Sequence, residues 1–260
     1  MADFRFVEIL GVRVNVVPFG AAIEAVLEAP DCGDRLALHF ANSHSLVEAN
    51  KDPALRAALN ADVVEPDGVP LVWLARRRGF RAERVAGPDF LPELVARGIP
   101  LGRSHFFFGG APGVPEELAR RLSEAYPGIR VVGTLSPPFT DRSEAEEAAL
   151  VAQINAAKPD YVWVGLGTPK QDLWVAAQRP SLDAAAVLAV GAAFDFHAGR
   201  KRRAPRLMQR TGTEWLFRLI SEPRRLAGRY TVVNVRLLWL VLKDEVRGRR
   251  LRRRRGRARN

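Results

Sequence analysis

Short apolar segments that run directly into glycine and then into helical sequence are the feature that most limits how this chain can fold. Three of them end at residues 108, 164 and 190, and each is followed at once by glycine. Strands that alternate with helices at this spacing are typical of a parallel sheet covered by helices on both faces. The sequence therefore predicts an α/β fold with a doubly wound sheet, in which the three glycine-bearing strand ends share one edge and border a ligand crevice.

The clearest of these segments spans residues 160–174. Residues 161–164 are apolar and rich in β-branched and aromatic side chains, and a turn containing Gly165 and Gly167 follows them. Thr168, which precedes a proline, has the form of an N-cap residue ahead of the first helical turn. The stretch thus predicts a strand, a glycine turn and a helix in direct succession.

Glycine turns of this kind are suited to phosphate binding. Gly165 and Gly167 let a ligand approach the backbone closely, and the helix start offers N–H groups to an anion. Gly109 and Gly110 form a second such turn. Gly-x-Gly alone is equally typical of an ordinary turn in a parallel sheet, whereas Gln171 and the lysine before it favour a ligand site. We therefore expect a phosphate-bearing ligand here.

Short polar side chains follow two other predicted strands. Asn42 lies just beyond one apolar strand, and Asp67 lies between a short strand and a helix. Both positions are at the edge where ligands bind, but both also suit helix capping, and the sequence leaves the two interpretations open. Arg84 can pair with Asp67 or with Asp89, which we expect to cap a helix that begins at Phe90.

The cysteine, histidine and carboxylate patterns argue against several kinds of site. Cys32 is the single cysteine of the 260 residues, which excludes an internal disulfide, and the four histidines lack metal-ligand spacing. Asp-x-Asp does not occur, so we expect neither a metal nor a cofactor. The first residues have no signal-peptide pattern, and the longest apolar stretch, 230–242, is too short and too interrupted to span a membrane.

Positive charge is concentrated at one end of the chain. Residues 200–260 contain 21 Lys and Arg against 4 Asp and Glu, a balance of +17, whereas residues 1–199 have 19 against 25, a balance of −6. This asymmetry indicates a polyanionic partner, either nucleic acid or an anionic membrane. The arginine-rich tail, residues 246–260, lacks interleaved aromatic residues and any recognition motif for nucleic acid, which favours the membrane.

A long helix with two adjacent arcs is predicted from Pro223 onward. The basic arc contains Arg225, Arg229, Arg236, Lys243, Arg247 and Arg250. The apolar arc contains Leu226, Val233, Leu237, Leu240 and Val241. Such a helix is suited to a membrane interface, where each basic residue contributes about 1 kcal/mol on an anionic surface. The apolar arc can instead pack on the core or on another copy of the chain.

Nine segments together resemble the WecG/TagA/CpsF glycosyltransferases, glycosyltransferase family 26, from about residue 4 to about residue 230. They are Ala41-Asn42, Glu65-Pro66-Asp67-Gly68, Arg84-Val85-Ala86-Gly87-Pro88-Asp89, Phe108-Gly109-Gly110, Val164-Gly165-Leu166-Gly167-Thr168-Pro169-Lys170-Gln171, Val190-Gly191-Ala192-Ala193-Phe194-Asp195, Arg203-Ala204-Pro205, Glu214-Trp215-Leu216-Phe217-Arg218-Leu219 and Glu222-Pro223-Arg224-Arg225. Their joint order and spacing carry the resemblance.

The resemblance implies a Rossmann-like catalytic domain at 1–195 and a helical membrane-docking appendage at 196–246. The arginine run itself predicts a disordered tail at 247–260. It implies an inverting, metal-independent hexosyltransferase (EC 2.4.1.-) that moves a sugar such as ManNAc, ManNAcA, Glc or Gal from a UDP-sugar to a polyprenyl-diphosphate-linked saccharide. The enzyme would act peripherally on the cytoplasmic face of the plasma membrane, in exopolysaccharide, capsule or teichoic-acid-type biosynthesis, as a monomer or a homo-oligomer.

The resemblance also assigns roles to residues. Asp67 would be the general base, Asn42 and Arg84 would line the pocket, and Gln171 would bind the nucleotide-sugar. Other candidate substrate contacts are Gly87, Asp89, Gly109, Gly110, Gly165, Gly167, Arg218, Arg225 and Arg229. The appendage arginines among them would face the diphosphate and close the site.

Two features depart from the family pattern: Phe40 stands where relatives place a threonine, and the arginine tail continues beyond residue 246. The first removes a hydroxyl contact and suggests a different sugar. Two other functions fit parts of the sequence, namely a nucleic-acid-binding α/β protein that uses the tail and an NAD(P) enzyme. The latter is disfavoured because residues 165–170 lack the third glycine of Gly-x-Gly-x-x-Gly.

Overall fold

A doubly wound sheet forms the centre of the molecule. The computed structural model describes residues 4–138, 140–211, 213–221, 233 and 235–244. In this part of the chain eight strands form one sheet: β1 (Phe6–Ile9), β2 (Val12–Asn15), β3 (Leu36–Ala41), β4 (Val63–Pro66), β5 (Ser104–Gly109), β6 (Arg130–Leu135), β7 (Tyr161–Gly165) and β8 (Ala186–Ala189). Their order is β1-β2-β4-β3-β8-β7-β5-β6. The β1–β2 pair is antiparallel and the other pairs are parallel, which confirms the predicted α/β sheet.

Helices cover both faces of this sheet. They are α1 (Phe19–Cys32), α2 (Ser43–Lys51), α3 (Pro53–Ala61), α4 (Val69–Arg77), α5 (Gly87–Gly98), α6 (Val114–Ala125), α7 (Glu144–Ala156), α8 (Lys170–Gln178), α9 (Ala193–His197), α10 (Arg206–Thr211) and α11 (Glu214–Ser221), and residues 235–244 are also helical. The first face packs α1, α5, α6 and α9 around Phe107 and Trp163. Alternate residues of the same strands meet α2, α3, α4, α7 and α8 on the second face. Burial on both faces explains the nearly continuous apolar runs of the central strands β5, β7 and β8.

The three glycine-bearing strand ends share one edge, as the sequence predicts. Strands β8, β7 and β5 are neighbours in the sheet. The Gly110 N–H donates to the Gly165 carbonyl at 2.9 Å, and the Gly191 N–H donates to the Val164 carbonyl at 3.2 Å. The turns after these strands are therefore held against one another at the carboxyl edge of the sheet.

Two helix starts differ from prediction. Helix α8 begins at Lys170 with Pro169 ahead of it, so Thr168 is not its N-cap. No side chain caps this helix, and the Gln171 side chain accepts the N–H of Gly167 in the turn before it. Helix α5 begins at Gly87, and Asp89 therefore lies in its first turn rather than at the cap. The proline after Gly87 suits the first turn because its missing N–H would have no helical partner there.

The C-terminal helical residues pack on the body of the protein. Val233, Leu237 and Leu240 are buried with residues of β1, β2 and α4, so this apolar arc does not face a membrane. The alternative of packing on the core is correct for these residues. A second apolar arc on the opposite side of residues 235–244 is exposed and contains Val235, Leu238, Trp239 and Leu242. The predicted disordered tail, 247–260, lies outside the described residues.

The periodicity of apolar residues in the sequence therefore did not show which side of residues 235–244 is exposed.

None of the helices described here is long and apolar enough to cross a membrane.

Candidate active site

Asp67 lies at the carboxyl end of β4, beside the end of β3. The Asp67 and Gly68 N–H groups donate to the Ala41 carbonyl at 2.9 and 3.3 Å. A Cβ atom added to Gly68 would be 3.2 Å from the Asn42 Cα, so the two strand ends are in contact. Helix α4 has Gly68 as its N-cap with no side-chain cap, so the capping interpretation of Asp67 is wrong. The structure thus brings Asn42 and Asp67 together and leaves Asp67 without a capping role.

Asn42, in contrast, does cap a helix. Its Oδ1 accepts hydrogen bonds from the N–H groups of His44 at 2.9 Å and Ser45 at 3.4 Å, and its own N–H donates to Ser45 Oγ at 3.3 Å. This reciprocal pair fixes the start of α2 next to Asp67. A contact between Asn42 and substrate remains a prediction.

The Arg84 side chain binds both the backbone carbonyl and the side-chain carboxylate of Asp67. The Arg84 Nε donates to the Asp67 carbonyl at 2.6 Å, and Nη2 donates to Asp67 Oδ1 at 3.2 Å. The same Nη2 donates to Glu214 Oε2, on α11, at 2.9 Å. Of the two partners that the sequence left open, Arg84 therefore takes Asp67. The Asp67 side chain is 22% exposed and can be reached by a substrate.

Arg203 pairs with the other candidate carboxylate. Its Nη1 and Nη2 donate to the two oxygens of Asp89 at 2.6 and 2.7 Å, a bidentate arrangement that joins the loop before α10 to the start of α5. At the same helix start, a Cβ on Gly87 would lie 3.2 Å from Val190 Cβ. Gly87 and Asp89 therefore border the site as structural contacts, and their contact with substrate remains a prediction.

The glycines after β5 and β7 are required by the close approach of their turns. Gly109 has φ +107°, and a Cβ there would lie 2.9 Å from the Gly165 carbonyl carbon. A Cβ on Gly165 would lie 2.6 Å from the Phe194 ring. Gly110, with φ +80°, packs against Val114 at the start of α6. Side chains would separate these turns, so the glycines serve packing whether or not phosphate binds beside them.

Gln171 connects two of the turns. Its side chain is 3% exposed, its Oε1 accepts the Gly167 N–H at 3.0 Å, and its Nε2 donates to the Ala189 carbonyl at 3.0 Å. It therefore links the turn after β7 to the end of β8. Its role in nucleotide-sugar binding stays a prediction, as do those of the appendage arginines: Arg218 is described only in its backbone, and Arg225 and Arg229 lie outside the described residues.

A second carboxylate on β4 has a different environment from Asp67. Glu65 is fully buried, and Asn15 Nδ2 donates to its Oε1 at 2.8 Å. Burial raises the pKa of Glu65 to about 7, against a smaller opposite effect of the Asn15 hydrogen bond. Asp67 is thus the carboxylate of this strand that can meet a substrate. The described residues hold no group of three or more His, Cys, Asp and Glu side chains that suits a metal ion.

A buried network of ion pairs holds together elements that carry the candidate site, and the sequence did not predict it. His39, on β3, lies between Asp172 and Asp62, with Nδ1 2.8 Å from Asp172 Oδ1 and Nε2 3.3 Å from Asp62 Oδ2. Arg179 donates to the other Asp62 oxygen at 2.5 Å. Since Asp172 follows Gln171 on α8, the network fixes this helix against β3. A lone histidine in an apolar strand gave no signal of it.

Glu214 and Arg203 are the two further site residues that sequence reasoning did not assign. Both lie in segments already noted for their resemblance, but their partners are 130 and 114 residues away.

The sequence also matches a protein-family model over most of its length. The model of the glycosyl transferase WecG/TagA/CpsF family matches residues 7–251.

Proposed function

The chain belongs to the WecG/TagA/CpsF glycosyltransferase family, which implies a role in cell-surface polysaccharide biosynthesis, and we propose that it transfers one sugar from a UDP-sugar to a polyprenyl-diphosphate-linked saccharide with inversion. The observation that carries the proposal is the pairing of Asp67 with Arg84 at the carboxyl edge of the sheet. An open carboxylate at this edge suits a general base, because ligands of α/β sheets bind there.

In the proposed reaction Asp67 takes the proton of the acceptor hydroxyl while that oxygen attacks the anomeric carbon of the donor. The bond from the anomeric carbon to the diphosphate breaks, and UDP leaves with both bonding electrons. One displacement inverts the configuration. Negative charge that develops on the diphosphate is met by N–H groups of the glycine turns and by the appendage arginines Arg218, Arg225 and Arg229.

The other predicted contacts complete this proposal. Asn42 and Arg84 line the pocket beside Asp67, and Gln171 holds the donor side by fixing the turns on which the diphosphate rests. Support for this comes from the two backbone hydrogen bonds of Gln171 and from the contact of Gly68 with Asn42. Phe40 is 6% exposed and packs edge-on against Phe90, with ring centres 5.1 Å apart, so we propose that it narrows the pocket rather than contacting the sugar through a polar group.

A panel of UDP-sugars tests the function. The full chain is mixed with a short polyprenyl-diphosphate-GlcNAc analogue and each of UDP-ManNAc, UDP-ManNAcA, UDP-Glc and UDP-Gal, and the lipid product is weighed by mass spectrometry. We expect one donor to extend the acceptor by one sugar residue. Failure of every donor in the panel to extend the acceptor would count against the proposed substrate pair.

We also propose that residues 196–246 form an appendage to the catalytic domain at 1–195 and bring it to the cytoplasmic face of the plasma membrane. The exposed arc at Val235, Leu238, Trp239 and Leu242 supports this, since these side chains are 53–64% exposed on one side of the helical residues. Lys243 Nζ lies 4.8 Å from the centre of the Trp239 ring, so a cation accompanies the arc, as at membrane interfaces.

Replacing Leu238 and Trp239 together by aspartate should weaken binding to phosphatidylglycerol vesicles by at least about 100-fold, because burying each large apolar side chain contributes about 1.5–3 kcal/mol. Vesicle co-sedimentation measures the change. Leu101→Asp is the matched control. Leu101 is 53% exposed and precedes β5, which lies on the far side of the sheet from β1 and β2, so this variant should bind like the wild type. Equal binding by the double variant would exclude this arc as the docking surface.

A further inference from the structure

Glu214, in the first turn of α11, reaches the same guanidinium group as Asp67. Arg84 Nη2 lies 2.9 Å from Glu214 Oε2 and 3.2 Å from Asp67 Oδ1, so one nitrogen serves two carboxylates. The Glu214 side chain is 12% exposed, and those of Arg84 and Asp67 are each 22% exposed. The three charged side chains are partly buried, so solvent screens their interactions less than it does at the open surface.

This sharing matters for a carboxylate that has to accept a proton. A guanidinium beside an aspartate favours the ionised form by about 1–3 pH units and so weakens the aspartate as a base. A second negative charge on the same guanidinium acts in the opposite direction.

We propose that Glu214 is a positioning residue of the active site, which shares Arg84 with Asp67 and keeps Asp67 able to take the acceptor proton when α11 is docked. The inference rests on the proposed role of Asp67 as the base. It makes the chemistry depend on the appendage, because the second carboxylate arrives only with α11. An enzyme whose appendage is displaced would keep Asp67 but hold it as a weaker base.

Among the residues that the structure describes, Arg203 and His197 are two other titratable groups near the site, and both leave this effect in place. Arg203 is close enough to act electrostatically on both Asp67 and Glu214, but it is held by Asp89 in a bidentate pair. His197 donates to the Pro88 carbonyl at 2.8 Å, and burial lowers its pKa, so it stays neutral near pH 7. Arg84 also donates to the Asp67 carbonyl at 2.6 Å through Nε, which does not contact Glu214, so we expect this hydrogen bond to persist in Glu214 variants. Replacing Glu214 therefore removes charge without releasing Arg84.

The test is Glu214→Gln in the full chain, with Asp67 followed by carbon-13 NMR of its labelled carboxyl group and assigned by its loss in Asp67→Asn. We expect the titration midpoint of Asp67 to fall by about 1 pH unit, and the acidic limb of the kcat/KM profile to move with it. At the optimum, kcat should fall by about 5- to 10-fold while KM for the donor changes less than about 2-fold. Glu214→Asp keeps the charge and should restore the midpoint.

The matched control is Asp244→Asn. Asp244 also joins the C-terminal helical residues to the body, through Arg78 at 2.9 Å, but it is 48% exposed and has no part in the site. It should leave the Asp67 midpoint unchanged. Glu214→Ala repeats the measurement if the glutamine variant does not fold.

An unshifted Asp67 midpoint in the uncharged variants Glu214→Gln or Glu214→Ala would overturn the inference, even with Asp67→Asn inactive. Full activity of Asp67→Asn would instead overturn the assignment of the base. The NMR titration does not depend on turnover, so the two failures are distinguishable.

Discussion

Asp67→Asn is expected to lower turnover by about 100-fold or more while leaving UDP-sugar binding within about 2-fold of the wild type. The asparagine amide cannot take the acceptor proton, but it has the size of the carboxyl group and still offers an oxygen to Arg84 Nη2. The Arg84 hydrogen bond to the backbone carbonyl of residue 67 is also kept. Initial rates of lipid extension measure turnover, and isothermal titration with the UDP-sugar measures binding in the same preparation.

Glu65→Gln is the matched control for this prediction, because Glu65 is a carboxylate on the same strand that faces the core. Burial raises its pKa to about 7 and so favours the neutral form, which a neutral amide resembles. Turnover of the control should stay within about 3-fold of the wild type. Wild-type turnover in Asp67→Asn would remove Asp67 from the mechanism.

His39→Ala is expected to lower the free energy of unfolding by about 3–5 kcal/mol at pH 6. The substitution leaves two buried carboxylates, Asp62 and Asp172, without the cation between them, and it opens a cavity at a fully buried position. Arg179 still pairs with Asp62, but the described structure gives Asp172 no such second cation. Urea unfolding followed by circular dichroism measures the loss. His44→Gln, at a side chain that is 25% exposed, is the control and should change stability by less than about 1 kcal/mol.

The pH dependence of this effect has a definite sign. Burial by itself would lower the pKa of His39, but hydrogen bonds to Asp172 and then Asp62 raise it from 6.5 to about 9. A raised pKa means that the charged histidine stabilises the fold fully below pH 6.5 and that this contribution is lost as the pH rises through about 9. The stability difference between wild type and His39→Ala should therefore shrink between pH 6.5 and 9.5. A constant difference across that range would show that His39 is not charged in the folded protein.

Much of the fold follows from local sequence. The strands ending in Gly109 and Gly165 were predictable because both of their faces are buried, which requires continuous apolar runs ahead of glycine turns. The position of β3 between β4 and β8 was not, because strand order depends on packing between segments far apart in the chain. The C-terminal helical residues show the same limit. They carry two opposite apolar arcs, and periodicity cannot tell which one meets the body.

The sequence named candidate site residues, whose roles remain predictions, but it did not fix the contacts between them. The strand-end position of Asp67 left a capping role open, and the family resemblance alone suggested a base. That Asp67 pairs with Arg84 instead of capping α4 depends on how β4 and the following loop are arranged in space. The contact of Glu214 with Arg84 could not be predicted from the sequence, because only the packing of α11 brings the two residues together. The His39 network was missed because its members lie on β3, before β4 and on α8, with no spacing that links them.

The structure of the product tests the central claim most directly. Wild-type protein is incubated with the productive UDP-sugar and the polyprenyl-diphosphate-GlcNAc analogue, and NMR determines the anomeric configuration of the new glycosidic bond. A single displacement with Asp67 as base predicts an acceptor extended by one sugar whose configuration is opposite to that of the donor. A retained configuration, or release of free sugar with no extension of the lipid, would contradict the account.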